Sequence, residues 1–302
     1  MKKIKAWIQA SRLLSQSYIF LPVLLGQGYA VMESNACFDW PVFLWMVLFS
    51  LAIQLFIVYG NDYNDAEIDR LNRTFNLFSG GSRVLVEGIL SRRELAAGIW
   101  IMAALNLFIG LVLTFAYHRY FALPIILLSM LLLYLYSFAP FRINYRGGGE
   151  LLQMIGVACV LPLFGYYAQS NLIDPLQLPW NLVLVLLPFH LSSAVSTALP
   201  DYPSDKIGLK CTLAVILGLK RAKILIILLN FLSMILFVMI DWTGIAEPDT
   251  YTILLGPVIA TLVMIFLIPR SDPGSLRLSA FVALNVVAVT ILFNLMMIVH
   301  VF

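Results

Sequence analysis

Charged side chains are scarce in this sequence. Asp, Glu, Lys and Arg make up 12% of its 302 residues, against 61% hydrophobic ones. A soluble domain carries about a quarter charged residues, so a water-exposed globule of this size is excluded, as are a disordered chain and a charged coiled coil. Cysteine is equally thin. Cys37, Cys159 and Cys211, scattered and odd in number, provide neither a disulfide framework nor a zinc spacing, and are read as small apolar fillers. No linker or low-complexity stretch interrupts the chain, so residues 1–302 are read as one domain.

What the sequence has instead is long apolar runs. A helix needs about 20 apolar residues to cross a bilayer core, and nine such runs occur: Leu14–Val31, Pro41–Gly60, Leu95–Tyr117, Tyr120–Phe138, Leu151–Gln169, Trp180–Leu199, Ile224–Trp242, Tyr251–Ile268 and Leu278–His300. With the N-terminus inside, all but one of the nineteen Lys and Arg residues fall on the inner side, Arg119 being the exception. That asymmetry satisfies the positive-inside rule. The first run is read as an uncleaved helix rather than a signal peptide, because Ser15, Gln16 and Ser17 push it late. The expected architecture is therefore all-α and polytopic: nine transmembrane helices in one bundle, N-terminus cytoplasmic, C-terminus outside, in a bacterial inner membrane. Outer connections (Glu33–Trp40, His118–Arg119, Ser170–Pro179, Asp241–Thr250) are short or bland, whereas two inner ones are rich in charge.

The first inner connection opens Asn61-Asp62-Tyr63-Asn64-Asp65-Ala66-Glu67-Ile68-Asp69-Arg70. If the preceding helix continues, Asp62, Asp65 and Asp69 share a face. Like charges so placed repel unless a cation bridges them, and oxygen donors at this density suit Mg²⁺. The second opens Asp201-Tyr202-Pro203-Ser204-Asp205-Lys206, again two acids on one face if helical, with Pro203 tolerated only in a first turn. Four apolar runs separate the two clusters, which suggests duplication of a four-helix unit. Basic residues follow each: Arg70, Arg73 and Arg83, then Lys206 and Lys210, with Arg142 and Arg146 arriving from a third inner loop. Acids for metal and bases for phosphate oxygens on one membrane side describe a diphosphate site. A prenyl diphosphate fits, because its tail can lie among apolar helices. Glycines at 80, 81 and 147–149 allow close backbone approach to an anion.

These residues carry a resemblance. Asn61–Asp69 resembles the N-D-x-x-D-x-x-x-D motif, and Asp201–Asp205 the D-x-x-x-D motif, of the UbiA superfamily of intramembrane prenyltransferases. Gly208–Val215 resembles the G-K-x-T-L segment that follows, and Tyr136-Ser137-Phe138-Ala139-Pro140 the Y-S-x-x-P segment. The resemblance implies that Asn61, Asp62 and Asp65 bind one Mg²⁺ and the diphosphate. It assigns Asp201 and Asp205 to a second Mg²⁺ and places Asp69 near the acceptor. Arg83 and Lys210 would contact diphosphate oxygens; Lys206 is a further basic candidate, and Arg142 stands where many members have Lys. Asp62, Asp65, Asp69, Asp201 and Asp205 are thus the expected catalytic acids. The implied chemistry is ionisation of the prenyl donor and attack by an aromatic acceptor, with the lipid bilayer as environment and no nucleic acid as partner. Asn144-Tyr145-Arg146-Gly147-Gly148-Gly149-Glu150 and Phe78–Gly88 are similar to the 1,4-dihydroxy-2-naphthoate prenyltransferases of quinone biosynthesis.

Two other readings are a membrane terpene cyclase on the same fold and a cation-coupled transporter. The transporter is disfavoured because the acids lie at the inner ends of spans rather than at the midplane. Tyr134, Phe138, Tyr166 and Tyr167 are candidate wall residues. Gln54 and Gln153 are candidates to face a pocket, and Asn106, Asn230, Asn285 and Asn294 to bond between helices. His190 reads as structural, and Glu150 as favourable to a helix N-terminus.

Overall fold

The computed structural model describes residues 2–34, 37–172, 174–240, 242 and 250–301, and its regular elements are helices, with no strand among the described residues. In chain order they are α1 (Lys2–Ala10), α2 (Ser17–Ser34), α3 (Trp40–Leu71), α4 (Arg92–Phe115), α5 (Ala122–Ser137), α6 (Gly149–Ser170), α7 (Trp180–Ala198), α8 (Tyr202–Ile207), α9 (Leu213–Leu217), α10 (Leu219–Met239), α11 (Thr250–Leu267) and α12 (Leu276–Val301). Each apolar run of the sequence overlaps one of these helices over most of its length. Among the described residues six helices are long and apolar enough to cross a membrane (α3, α4, α6, α7, α10 and α12), with α5 and most of α11 as shorter apolar helices. The chain is an integral membrane protein. The outer connection expected at Asp241–Thr250 falls, except for Trp242 and Thr250, outside the described residues, as does part of Glu33–Trp40.

Capping explains several boundaries. The Asp39 side chain accepts from Val42 N at 3.1 Å and starts α3, with Pro41 in its first turn. A capping box starts α4: Ser91 Oγ accepts from Glu94 N at 3.2 Å while Glu94 Oε2 accepts from Ser91 N at 2.9 Å. Helix α3 has 32 residues. At 1.5 Å per residue it is about 48 Å long, well beyond the roughly 30 Å hydrocarbon core. Its last turns, from Asn61 onward, therefore extend past the apolar layer. The first acidic cluster is a helical extension, not the Asp-rich loop expected, and most of the second lies on the short helix α8.

Two apolar cores form. One gathers Leu182, Leu186, Phe189, Phe237, Phe281 and Phe293 from α7, α10 and α12. The other gathers Met46, Phe49, Ile53, Leu95, Ile109 and Ile126 from α3, α4 and α5. Helices α2 and α6 contribute to both, through Leu25 and Tyr166 on one side and Val23 and Phe164 on the other. Their contact is backbone to backbone: a Cβ at Gly26 would overlap the Pro162 carbonyl oxygen, and one at Gly165 the Val23 carbonyl oxygen. Small residues let membrane helices approach this closely.

Polar residues inside the bundle behave in two ways. Asn230 Nδ2 donates to Asn285 Oδ1 at 2.9 Å, and Asn285 Nδ2 to Ser196 Oγ at 3.1 Å, linking α10, α12 and α7. Asn106 and Asn294 instead donate to carbonyls one turn back on their own helices, both at 2.8 Å. Two helices widen locally into π turns, α6 at Gly156–Val160 and α12 at Leu284–Ile291.

Gly165→Val is expected to lower stability by about 3 kcal/mol, the upper range for overpacking, because the opposing atom is backbone and cannot turn away. Thermal unfolding in detergent measures this, and a variant as stable as the parent would contradict the seam.

Candidate active site

Helical spacing, together with what covers each side chain, decides which acids reach the cavity. Along α3 the residues Ile53, Ile57, Asn61, Asp65 and Asp69 recur every four positions and line one large cavity of about 1320 Å³. Asp62, one step of 100° away, does not line it. The Asp62 carboxylate is buried behind the wall, paired with the Arg12 guanidinium and accepting from Ser82 Oγ and from Ser82 N, the latter at 3.2 Å. The shared face expected for Asp62, Asp65 and Asp69 thus becomes a row of Asn61, Asp65 and Asp69, with Asp62 on the flank.

The other half of the chain supplies Asp201, Ser204 and Asp205 from the start of α8, and Lys210 from the turn after it, all on the same cavity. Lys210 Nζ bonds Asp65 Oδ2 at 2.9 Å, joining the two motifs directly. Tyr145 OH donates to Asp65 Oδ1 at 2.9 Å. Asp201 is held by Asn72 Nδ2 at 2.6 Å and by the Gly80 backbone N–H at 3.2 Å. Gly80 and Gly81 both have positive φ (77° and 70°), and a Cβ at Gly81 would overlap Asp69 Oδ2. The close backbone approach expected of this glycine pair is therefore an approach to Asp201 and Asp69.

The bases divide. Arg83 lines the cavity, donates to the Asp69 carbonyl at 3.1 Å and lies over the Phe75 ring at 4.2 Å. Lys206 is exposed on the outward side of α8, because Ser204 and Asp205 occupy its inward side. Arg142 lies over the Tyr145 ring at 4.0 Å and is absent from the wall. These two expected diphosphate contacts are thus kept away from the cavity. Arg12, not singled out from the sequence, lines the cavity. Helix α1 is fixed by the Trp7 ring against Tyr59 (5.4 Å between centroids) and by Gln9 Nε2 on the Ser82 carbonyl at 2.8 Å, which brings Arg12 to the wall. Arg12, Arg83 and Leu209 have left-handed backbone conformations (φ 43°, 64° and 56°). Such residues cost of order 1–3 kcal/mol each and gather at functional sites.

Burial raises the Asp205 carboxyl to about 7, with Lys210 opposing the rise and Asp201 and Asp65 adding to it. Burial also raises Asp201, against Lys210 and the bonds from Gly80 and Asn72. Burial works against the Lys210 ammonium, but Asp65 and its neighbours carry its pKa well above the usual lysine value. The cluster thus has more acid than its bases neutralise, a set of oxygens that a hard cation would relieve. No group of three or more His, Cys, Asp or Glu among the described residues is arranged to hold an ion alone.

Away from the acids the same cavity is apolar, walled by Leu132, Leu133, Val157, Leu161, Val286 and Ile291. Gln54 and Gln153 do line it. The aromatic wall is not the one expected. Tyr134 and Phe138 stack on each other at 5.9 Å, Tyr166 bonds Glu33 at 2.7 Å, and Tyr167 OH accepts from Phe121 N at 3.0 Å. Tyr18, Phe75, Phe78 and Tyr136 line the cavity instead. His190 is buried edge-on to the Tyr18 ring, outside the wall, and its Nε2 has no hydrogen-bond partner.

The model of the UbiA prenyltransferase family matches residues 19–295. The chain belongs to the UbiA prenyltransferase family. Among curated relatives of this prenyltransferase is a digeranylgeranylglyceryl phosphate synthase of Korarchaeum cryptofilum, 28% identical over 79% of this chain and 77% of the relative. Another is a 1,4-dihydroxy-2-naphthoate octaprenyltransferase of Bacillus subtilis, 27% identical over 78% and 74%. The fold matches a UbiA homologue from Archaeoglobus fulgidus bound to DMAPP and Mg²⁺, with TM-score 0.67, 20% identity and coverage of 97% and 99% of the two chains.

Arg12→Ala in this UbiA-family enzyme leaves the Asp62 carboxylate buried without its cation, a loss on the order of 3 kcal/mol. Thermal unfolding in detergent is expected to show that drop, with a substantial part recovered in the Arg12→Ala/Asp62→Asn double variant. Equal stability of the single and double variants would contradict the pairing.

Proposed function

We propose that the enzyme transfers a prenyl group from a prenyl diphosphate to an aromatic acceptor of the 1,4-dihydroxy-2-naphthoate kind, in a Mg²⁺-dependent reaction. One observation carries this: acids from both halves of the chain and the bases Arg12, Arg83 and Lys210 meet at one end of a cavity whose other end is apolar. The Archaeoglobus fulgidus homologue with DMAPP and Mg²⁺ supports the donor class. The Bacillus subtilis relative, and a second octaprenyltransferase of the same name from Mycobacterium tuberculosis, 26% identical, support the acceptor.

In this reading two Mg²⁺ ions sit among Asn61, Asp65 and Asp69 on one side and Asp201 and Asp205 on the other. Bound there, Mg²⁺ supplies charge neutralisation for the departing diphosphate. Lys210, Arg12 and Arg83 bind diphosphate oxygens, and Asp62 holds Arg12 in place. The apolar wall takes the prenyl tail and excludes water from the allylic carbocation. The faces of Tyr136 and Tyr18 stabilise positive charge through their π systems. The acceptor ring attacks the cation and loses a proton or a carboxyl group. Nine spans, with the N-terminus and acid clusters cytoplasmic and the C-terminus outside, complete the topology, and the positive-inside bias supports it. The membrane is read as a bacterial inner membrane.

A second reading is supported by the Korarchaeum cryptofilum relative, a digeranylgeranylglyceryl phosphate synthase: a glyceryl phosphate as acceptor. Purified protein in detergent with geranylgeranyl diphosphate and Mg²⁺ is expected to release diphosphate only when an acceptor is present, and mass analysis of the extract identifies which. Release without acceptor, with a terpene product, would make the enzyme a cyclase. Asp201→Asn and Asp65→Asn are expected to lower this turnover by about a hundredfold or more, the scale of losing electrostatic stabilisation at a reacting centre. Full activity in either variant would sink the metal assignment.

A further inference from the structure

The cavity-facing row of α6 changes character along its length. Glu150 and Gln153 lie at its acidic end, Val157 and Leu161 at its apolar end, and Gly156 between them, all lining the cavity. A glycine inside a helix costs roughly 0.5–1 kcal/mol relative to alanine, so its presence calls for a reason. At several other helical glycines the reason is packing. Gly26 and Gly165 face backbone carbonyls, and a Cβ at Gly98, Gly110 or Gly256 would come within 2.9 Å or less of Trp7, Leu123 and Leu292 respectively. Gly156 differs. A Cβ there would meet one atom, Leu132 Cδ1, at an ordinary 3.6 Å, and its φ is not positive. Neither helix packing nor backbone conformation requires a glycine at this position, and Leu132 itself lines the cavity. Gly156 also begins the π turn Gly156–Val160, a distortion that is frequent at functional sites.

We infer that Gly156 determines donor specificity: its missing side chain keeps open the passage through which a prenyl tail longer than two isoprene units runs. The inference rests on the prenyl diphosphate reading above. Gly156 stands six residues beyond Glu150, about 9 Å along the helix axis. An extended isoprene unit, four carbon–carbon bonds long, spans about 5 Å, so the first two units end about level with Gly156 while the third and later ones run past it. Val286, Val287 and Ile291 of α12 also line the cavity.

The test is binding, which needs no acceptor. The full chain in detergent with Mg²⁺ is titrated calorimetrically with geranyl and with geranylgeranyl diphosphate, for the parent, Gly156→Ala and Gly156→Leu. Gly156→Leu is expected to weaken geranylgeranyl diphosphate about tenfold or more, the scale of a poor apolar fit, and geranyl diphosphate by no more than about twofold. Gly156→Ala, whose Cβ the structure accommodates, is expected to shift the same ratio in the same direction by a smaller factor. It decides the matter if the leucine variant does not fold. Equal weakening of both donors, or no change in their ratio in the folded variants, overturns the inference while parent binding leaves the donor reading intact. A parent protein that binds neither diphosphate overturns the donor reading and this inference with it.

Discussion

Buried carboxylates need counter-charge, and the acidic end of this bundle is organised by that need. An unpaired charge in a low-dielectric setting is prohibitively unfavourable, so Asp62 draws in Arg12 from the N-terminal segment and Asp65 draws in Lys210 from the far half of the chain. The two pairs connect segments that sequence separates widely. They also hold the remaining acids together: Asp201 is fixed by Asn72 and Gly80, which belong to the connection after α3. The site is consequently a junction between halves of the molecule, with neither half sufficient to form it.

The apolar part of the fold meets a complementary requirement. The halves must be joined without filling the space between them, because that space is the cavity. The join is made along α2 and α6, where Gly26 and Gly165 bring backbones into contact. Close packing there is compatible with a large opening nearby, since Ser17, Tyr18 and Ile19 at the start of α2 and Gly156, Val157 and Leu161 of α6 line the cavity. Rigid contact and open volume thus alternate along the same helices.

Membrane character was legible because the bilayer imposes a length and a composition on every span, and the helices of the structure follow the apolar runs. The acid motifs were legible because like charges at helical spacing have few explanations besides a cation. Finer assignments failed where a residue's direction mattered more than its type. Asp62 and Asp65 look equivalent in sequence, but Arg12 and Ser82 cover the first while the second lines the cavity. Lys206 and Lys210 are both basic residues after the second motif, yet Ser204 and Asp205 occupy the inward side of α8 and leave Lys206 outside. The aromatic candidates failed for the same reason, with Tyr166 and Tyr167 bonded to Glu33 and to the Phe121 backbone instead of facing the cavity. Arg12 was overlooked because nothing local distinguishes it from other inner-side bases.

The sequence by itself determined that this is a helical membrane protein, where its apolar runs lie, and that two acidic motifs with attendant bases sit at the ends of helices. Those properties are local: hydropathy, charge and spacing act over a turn or a span. Tertiary structure alone decided which acids share a cavity, which cations neutralise them, and which glycines serve contact as opposed to space. Such choices depend on the rotation of one helix against another and on what occupies the opposite wall, and a linear sequence does not encode either at the position concerned.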